Sequence, residues 1–255
     1  MASAVILGAA SSRVAGAVKG AARVMTRAVG AASLGVSSGV ARAGEAAHAA
    51  VTGQRFGPAT LRVRVVILSD EHGHPLTTAD RLTSSIDRAD AVLTAGAGIR
   101  VRLTGVHIEP EPAPTHALQP RANRRLLLDD VLGHTEFYRR VSSTAPLPGV
   151  TIGVPITVIV VRDIAGTVTG CSLGISADWV VAQASLFDPA RPHTYDDTVL
   201  VHELGHALNL PHHPDRDNIM FPASSPPTDV RGTGLRGWQA AMLNANRHVI
   251  PGVPD

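Results

Sequence analysis

Two histidines four residues apart, His202 and His206, bracket Glu203 in the stretch Val201-His202-Glu203-Leu204-Gly205-His206. On a helix, which turns about 100° per residue, the two imidazoles leave the same face about 40° apart and one turn apart. So placed they can hold one metal ion, and neutral imidazole is a common zinc ligand. Glu203 is too close in sequence to join the same ion easily, but it is well placed to hold a water bound there. Three residues beyond His206 stands Asn209. After Gly, Asn is the residue best tolerated in the left-handed conformation that stops and reverses a helix. Such a reversal would bring His212 to the ion as third ligand. His213 competes with it, and Asp215, Asp217 and Asp229 are carboxylate alternatives, whereas no Glu follows Glu203. Three protein ligands leave a fourth position for water, as in catalytic rather than structural zinc. The chemistry open to such a set is metal-assisted hydrolysis: zinc lowers the pKa of its water towards ~7, Glu203 takes the proton and later returns it to the leaving group.

His202 to His212 resembles the metzincin signature HExxHxxGxxH, and Asn218-Ile219-Met220-Phe221-Pro222 resembles the Met-turn of that family. The spacing from His212 to Met220 and the Met-aromatic-Pro ending are most similar to the matrixin branch. The resemblance implies a zinc-dependent endopeptidase acting on a peptide or protein. It implies His202, His206 and His212 as ligands of one zinc ion, Glu203 as general base and Met220 as a hydrophobic floor beneath the metal. It also implies an α+β sandwich: a mixed, twisted sheet of about five strands with two long helices, then a small C-terminal subdomain with the Met-turn and a last helix. Three residues depart from the pattern. Asn209 stands where the family has Gly, no Tyr follows Met220, and no cysteine lies upstream where a matrixin propeptide would place one. Two other functions share these residues: a non-catalytic, zinc-stabilised binding module, and a zinc hydrolase of a non-peptide amide.

The elements that must position this set can be read along the chain. Leu61, Val63, Val65 and Ile67 alternate with Arg62 and Arg64, the period of a strand with one buried face. A helix is expected from Thr78, its N-cap, to Ala95, with Leu82, Ile86, Ala89 and Leu93 on one stripe and Gly96 as the stop. Ile99, Val101 and Leu103 form a second alternating run, so strand, helix, strand suggests a crossover onto one sheet. Four prolines over 109–120 predict an extended surface loop. A helix over 122–142 would pack through Leu128, Val131, Leu132 and Tyr138. The continuous apolar run Ile156 to Val161 reads as a strand covered on both faces. A turn-rich stretch around Gly170 and Gly174 precedes one more strand at Trp179 to Ala182, and a peptide could pair with the sheet edge near Gly174 to Asp178. Asp196 or Asp197 would start the motif helix. A last helix, Leu235 to Arg247, would pack through Trp238, Ala241 and Met242.

Bulk properties narrow the rest. Residues 1–50 hold Arg13, Lys19, Arg23, Arg27 and Arg42 against Glu45 alone, and are otherwise almost entirely small. They read as a leader or disordered arm ahead of one catalytic domain over 58–255. Met25 to Ala43 has the form of an export signal, which leaves secretion and a cytoplasmic location both open. The remainder is close to neutral and only 3% of the chain is aromatic, which argues against nucleic acid as a partner. No run of apolar residues is long enough to span a membrane. Cys171 is the only cysteine, expected to be small and buried, and no disulfide can form within the chain.

Overall fold

The alternation of the first strand divides the molecule into two cores. In the computed structural model, which describes residues 57–121, 129, 132, 134–142, 153–165, 170–172 and 178–252, that strand is β1, Ala59–Ser69. Leu61, Val63, Val65 and Ile67 point to one side of the sheet, whereas Val66 and Leu68 point to the other. The chain then runs through α1 (Ala79–Ala97), β2 (Ile99–Pro112), the short α2 (Thr115–Leu118), α3 (Glu136–Ser142) and β3 (Ile156–Val161). It continues through β4 (Gly170–Ser172), β5 (Trp179–Gln183), a 3-10 turn, α4 (Val199–Ala207), α5 (Gly237–Asn244) and β6 (Val249–Ile250). The sheet order is β2-β1-β3-β5-β4, with β6 pairing β1 as well. β2, β1, β3 and β5 are parallel; β4 and β6 are antiparallel to their partners. The result is a mixed α/β architecture, one strand richer than expected.

The first core lies between the sheet and the helices α1 and α4. The expected stripe Leu82, Ile86, Ala89 and Leu93 is buried there, beside Leu200, Leu204, Met220 and Leu243. The second core lies on the opposite face, where Ile159, Val161 and Val181 meet Ala117, Leu118, Tyr138 and Val141. Tyr138 keeps its polar end satisfied in that core by donating to the Ala117 carbonyl at 2.6 Å. All six residues of β3 are buried because both faces are covered, as the unbroken apolar run requires.

Several expectations need correcting. α1 stops at Gly98, not Gly96: Gly98 has φ 66° and its N–H caps the last turn, whereas Gly96 lies tightly against Leu235. β2 continues to Pro112 through the segment expected as a loop. It forms the edge of the sheet, where prolines remove no ladder hydrogen bond, and its register shifts beside Leu103. Around Gly170 a short edge strand replaces the expected turns. The helix expected over 122–142 is broken by a turn at 134–135; Leu132 is exposed, and Leu128 and Val131 lie outside the described residues. α5 packs by the opposite face from the one expected. Trp238, Ala241 and Met242 are exposed, whereas Gln239 and Leu243 are wholly buried. Residues 1–50, expected as a leader or disordered arm, the Cys171 side chain and residues 173–177 lie outside the described residues. Among the described residues no helix is long and apolar enough to cross a membrane.

Ile159 is fully buried on the back face of the central strand. Replacing it with Ala should lower unfolding free energy by about 2–5 kcal/mol, read from a urea denaturation curve.

Candidate metal centre

α4 carries the motif, and its nine residues end in a reversal built from backbone hydrogen bonds. Asn209 has φ 75°. Its N–H donates to the His206 carbonyl at 2.9 Å, and the next N–H, from Leu210, reaches back to the Gly205 carbonyl at 2.8 Å. These paired bonds are the Schellman arrangement, with Asn in the left-handed position usually held by Gly. The chain doubles back, and His212 meets the two helical histidines. One nitrogen from each of His202, His206 and His212 lies within 4.8 Å of the others, and His206 Nε2 stands 3.1 Å from His212 Nε2. The three form a group positioned to bind one metal ion.

Two of the rings are fixed from behind. His202 Nδ1 is 2.8 Å from the Ile219 carbonyl and His206 Nδ1 is 2.9 Å from the Leu210 carbonyl. A carbonyl only accepts, so Nδ1 carries the proton in both and Nε2 presents its lone pair to the centre. Burial holds His202 down to about 3, with the positive charge of Arg231 adding to the effect and the Ile219 carbonyl opposing it. Burial likewise lowers His206 and His212. All three are therefore neutral near pH 7, the form that ligates, and three imidazole nitrogens are a donor set that suits Zn²⁺.

Of the competitors, His213 turns away: its Nδ1 accepts from the Asp215 N–H at 3.2 Å and its ring faces Trp238. Asp215 pairs with Arg236 and Asp229 with Arg216. Neither they nor Asp217 belong to the cluster.

Glu203 is buried. It is 5% exposed and its Oε2 has no hydrogen-bond partner among the described residues. Burial pushes its carboxyl up to about 8, and Arg231 partly offsets this. Gly170 on the edge strand β4 lies against it, so closely that a Cβ there would meet Oε1 at 2.6 Å.

Met220 is fully buried directly under α4; a side chain at Gly205 would strike its Sδ. The turn that delivers it is held by two buried amides, Asn218 and Gln239. Asn218 Oδ1 accepts the Met220 N–H at 2.9 Å, and Asn218 and Gln239 exchange side-chain hydrogen bonds at 2.7 and 3.1 Å. Because Ile219 in the same turn orients His202, the buried face of α5 acts on the metal site through Gln239. Two further buried residues escaped sequence reasoning in their structural role. Arg231 donates to the Phe221 carbonyl at 3.2 Å and faces Asp196 at 3.7 Å. Asp196 also accepts the Thr198 N–H at 2.9 Å, just ahead of α4, while Asp197 is at the surface with Arg88. Thr198, not either aspartate, occupies the N-cap position.

No protein-family profile matches the sequence, and comparison with curated proteins gives no match. Solved structures similar to the chain include metalloproteinase-II from Bacteroides fragilis, 14% identical with a TM-score of 0.46; the alignment covers 76% of this chain and 55% of that one. Archaemetzincin from Methanopyrus kandleri is 20% identical with a TM-score of 0.43, covering 71% and 93%. A zinc-dependent peptidase from Methanocorpusculum labreanum is 15% identical with a TM-score of 0.41, covering 70% and 99%.

Two outcomes follow from the geometry. Asn209→Gly should keep the reversal, whereas Asn209→Val should cost about 1–2 kcal/mol and weaken metal binding, measured by thermal melts and by competition with a chromogenic chelator. The second concerns pH. Glu203 sits near 8 when folded against an ordinary 4.5, so the unfolded state releases its proton first and stability falls as pH rises from 4.5 to 8. His202 acts in the other direction: held near 3 against 6.5, it costs stability as pH falls through that interval. In metal-free protein, Glu203→Gln should therefore raise the melting temperature at pH 8 far more than at pH 5, and leave the acid limb unchanged.

Proposed function

We propose that this chain is a zinc-dependent endopeptidase of the metzincin type, with His202, His206 and His212 as zinc ligands, Glu203 as general base and Met220 as the floor beneath the site. The observation that carries this is the pairing of three converging imidazoles with a buried carboxyl, one residue along the same helix, whose Oε2 has no hydrogen-bond partner among the described residues. A structural zinc site has no use for such a carboxyl, because leaving a buried oxygen without a partner costs stability. A hydrolase needs it.

When bound, zinc would supply Lewis acidity, activating a water and polarising the scissile carbonyl. Glu203 supplies the proton traffic. Its carboxylate takes a proton from the attacking water as the carbon–oxygen bond forms, and passes that proton to the amine as the carbon–nitrogen bond breaks. A cation held by the neighbouring imidazoles favours the ionised form of Glu203, which lets it begin the cycle as a base. Its buried surroundings strengthen every charge interaction made there. The Nδ1 hydrogen bonds of His202 and His206 keep their rings from turning, and the Asn209 reversal does the same for the approach of His212. β4 ends the sheet next to Glu203, so an extended peptide pairing with that edge would pass its backbone close to the base.

Glu203→Gln should retain one zinc per chain by elemental analysis and lose peptide cleavage by a factor of at least about 100. A full-length chain that binds zinc and cleaves nothing in a broad peptide library would contradict the assignment. Cleavage that survives in Glu203→Gln would remove Glu203 from the mechanism.

A further inference from the structure

We propose that Arg231 anchors a carboxylate group of the substrate, so that hydrolysis favours peptide bonds beside an acidic group. The proposal deepens the peptidase reading and rests on it. Arg231 is 8% exposed, and its side chain 5%. A guanidinium carries five N–H donors. Among the described residues it makes one hydrogen bond, from Nη1 to the Phe221 carbonyl at 3.2 Å. The nearest carboxylate oxygen, Asp196 Oδ2, stands 3.7 Å from Nη2, beyond hydrogen-bond length, and the other Asp196 oxygen is occupied by Thr198. Nε is buried with no partner among the described residues. So large a deficit on a buried cation is rare, because each unmet donor carries its full desolvation cost.

The position of this deficit gives it meaning. Phe221, which Arg231 grips, follows Met220 in the turn that orients His202, and Asp196 lies just ahead of α4. The guanidinium is thus wedged between the two segments that frame the metal centre. Its positive charge is felt at Glu203 and at all three histidines. Asp196 stands near enough to offset the charge of Arg231 but too far to accept from its N–H groups. A carboxylate would take two of them at once, because the planar fork of arginine is shaped to hold one in two parallel hydrogen bonds.

Two substrate groups offer that chemistry: the side chain of Asp or Glu next to the scissile bond, and a free C-terminal carboxylate. The test uses the zinc-loaded full chain and matched peptides with Asp or Glu against Asn or Gln on each side of the cleaved bond. A second series carries its only carboxylate at the C-terminus, free or amidated. We expect kcat/KM to favour the carboxylate member by about 10- to 100-fold, the range of a charge-assisted pair. Preference confined to the free C-terminus identifies the terminal source; preference at internal Asp or Glu identifies the side chain. Calorimetric binding of the same peptides to Glu203→Gln protein supplies a readout independent of turnover and should show the same order. In Arg231→Lys, and in Arg231→Met combined with Asp196→Asn, both ratios should fall below about threefold. A wild-type chain that cleaves acid and amide peptides equally well overturns the anchor and leaves the peptidase assignment standing, whether or not the variants fold. No cleavage, with acid-selective binding that Arg231→Lys abolishes, leaves the anchor standing and overturns the peptidase assignment. Acid preference undiminished in a folded Arg231→Lys chain overturns the role of Arg231.

Discussion

A straight helix can aim two imidazoles at one point in space but not three, because a third residue on the same face lies another turn away. The metal centre therefore depends on a place where the helix stops being a helix. That place is Asn209, whose left-handed backbone lets two consecutive N–H groups fold back onto the last turn of α4. The Leu210 carbonyl freed by the same reversal orients His206. One backbone torsion thus brings in the third ligand and aligns the second. The Met220 turn complements it from below: the close fit of Sδ against Gly205 fixes the height of α4 above the segment whose Ile219 carbonyl aligns His202.

Such a centre works against the fold that holds it. Glu203, Arg231 and Asp196 are ionisable groups buried beside the site, and among the described residues only part of the hydrogen-bonding capacity of Glu203 and Arg231 is met. The stability that tolerates them comes from elsewhere, chiefly from the two apolar layers that the parallel strands separate. The layer away from the site includes none of the three clustered histidines, and it packs β3 and β5 from behind.

Much of this arrangement was legible in the sequence, and the part that was not has a common cause. Periodicity revealed β1, α1 and β3 because burial repeats with the geometry of the element, and the spacing from His202 through Asn209 to His212 encodes a helix and its stop. What escaped was polar and buried at once. Gln239, Asn218, Arg231 and Asp196 are residue types usually found at the surface, and only the fold shows that each meets a partner distant in sequence. The face of α5 was misread for the mirror-image reason: Trp238 and Met242 look like core residues, but the helix turns a glutamine inward because a buried amide is what the Asn218 turn requires. The edge strand β4 is too short, at three residues, for alternation to reveal it.

β6 closes the sheet by pairing Val249 and Ile250 with Leu61 and Thr60, at the very start of β1. Seen from the ribosome, this makes assembly of the centre a late event. The helix with both of its histidines and Glu203 has emerged well before Gln239 can clasp Asn218, and before β6 can dock on the strand made first. A nascent chain thus holds a complete ligand sequence without a finished centre, and the closing contacts, which have the longest loops to close, are also the slowest to form.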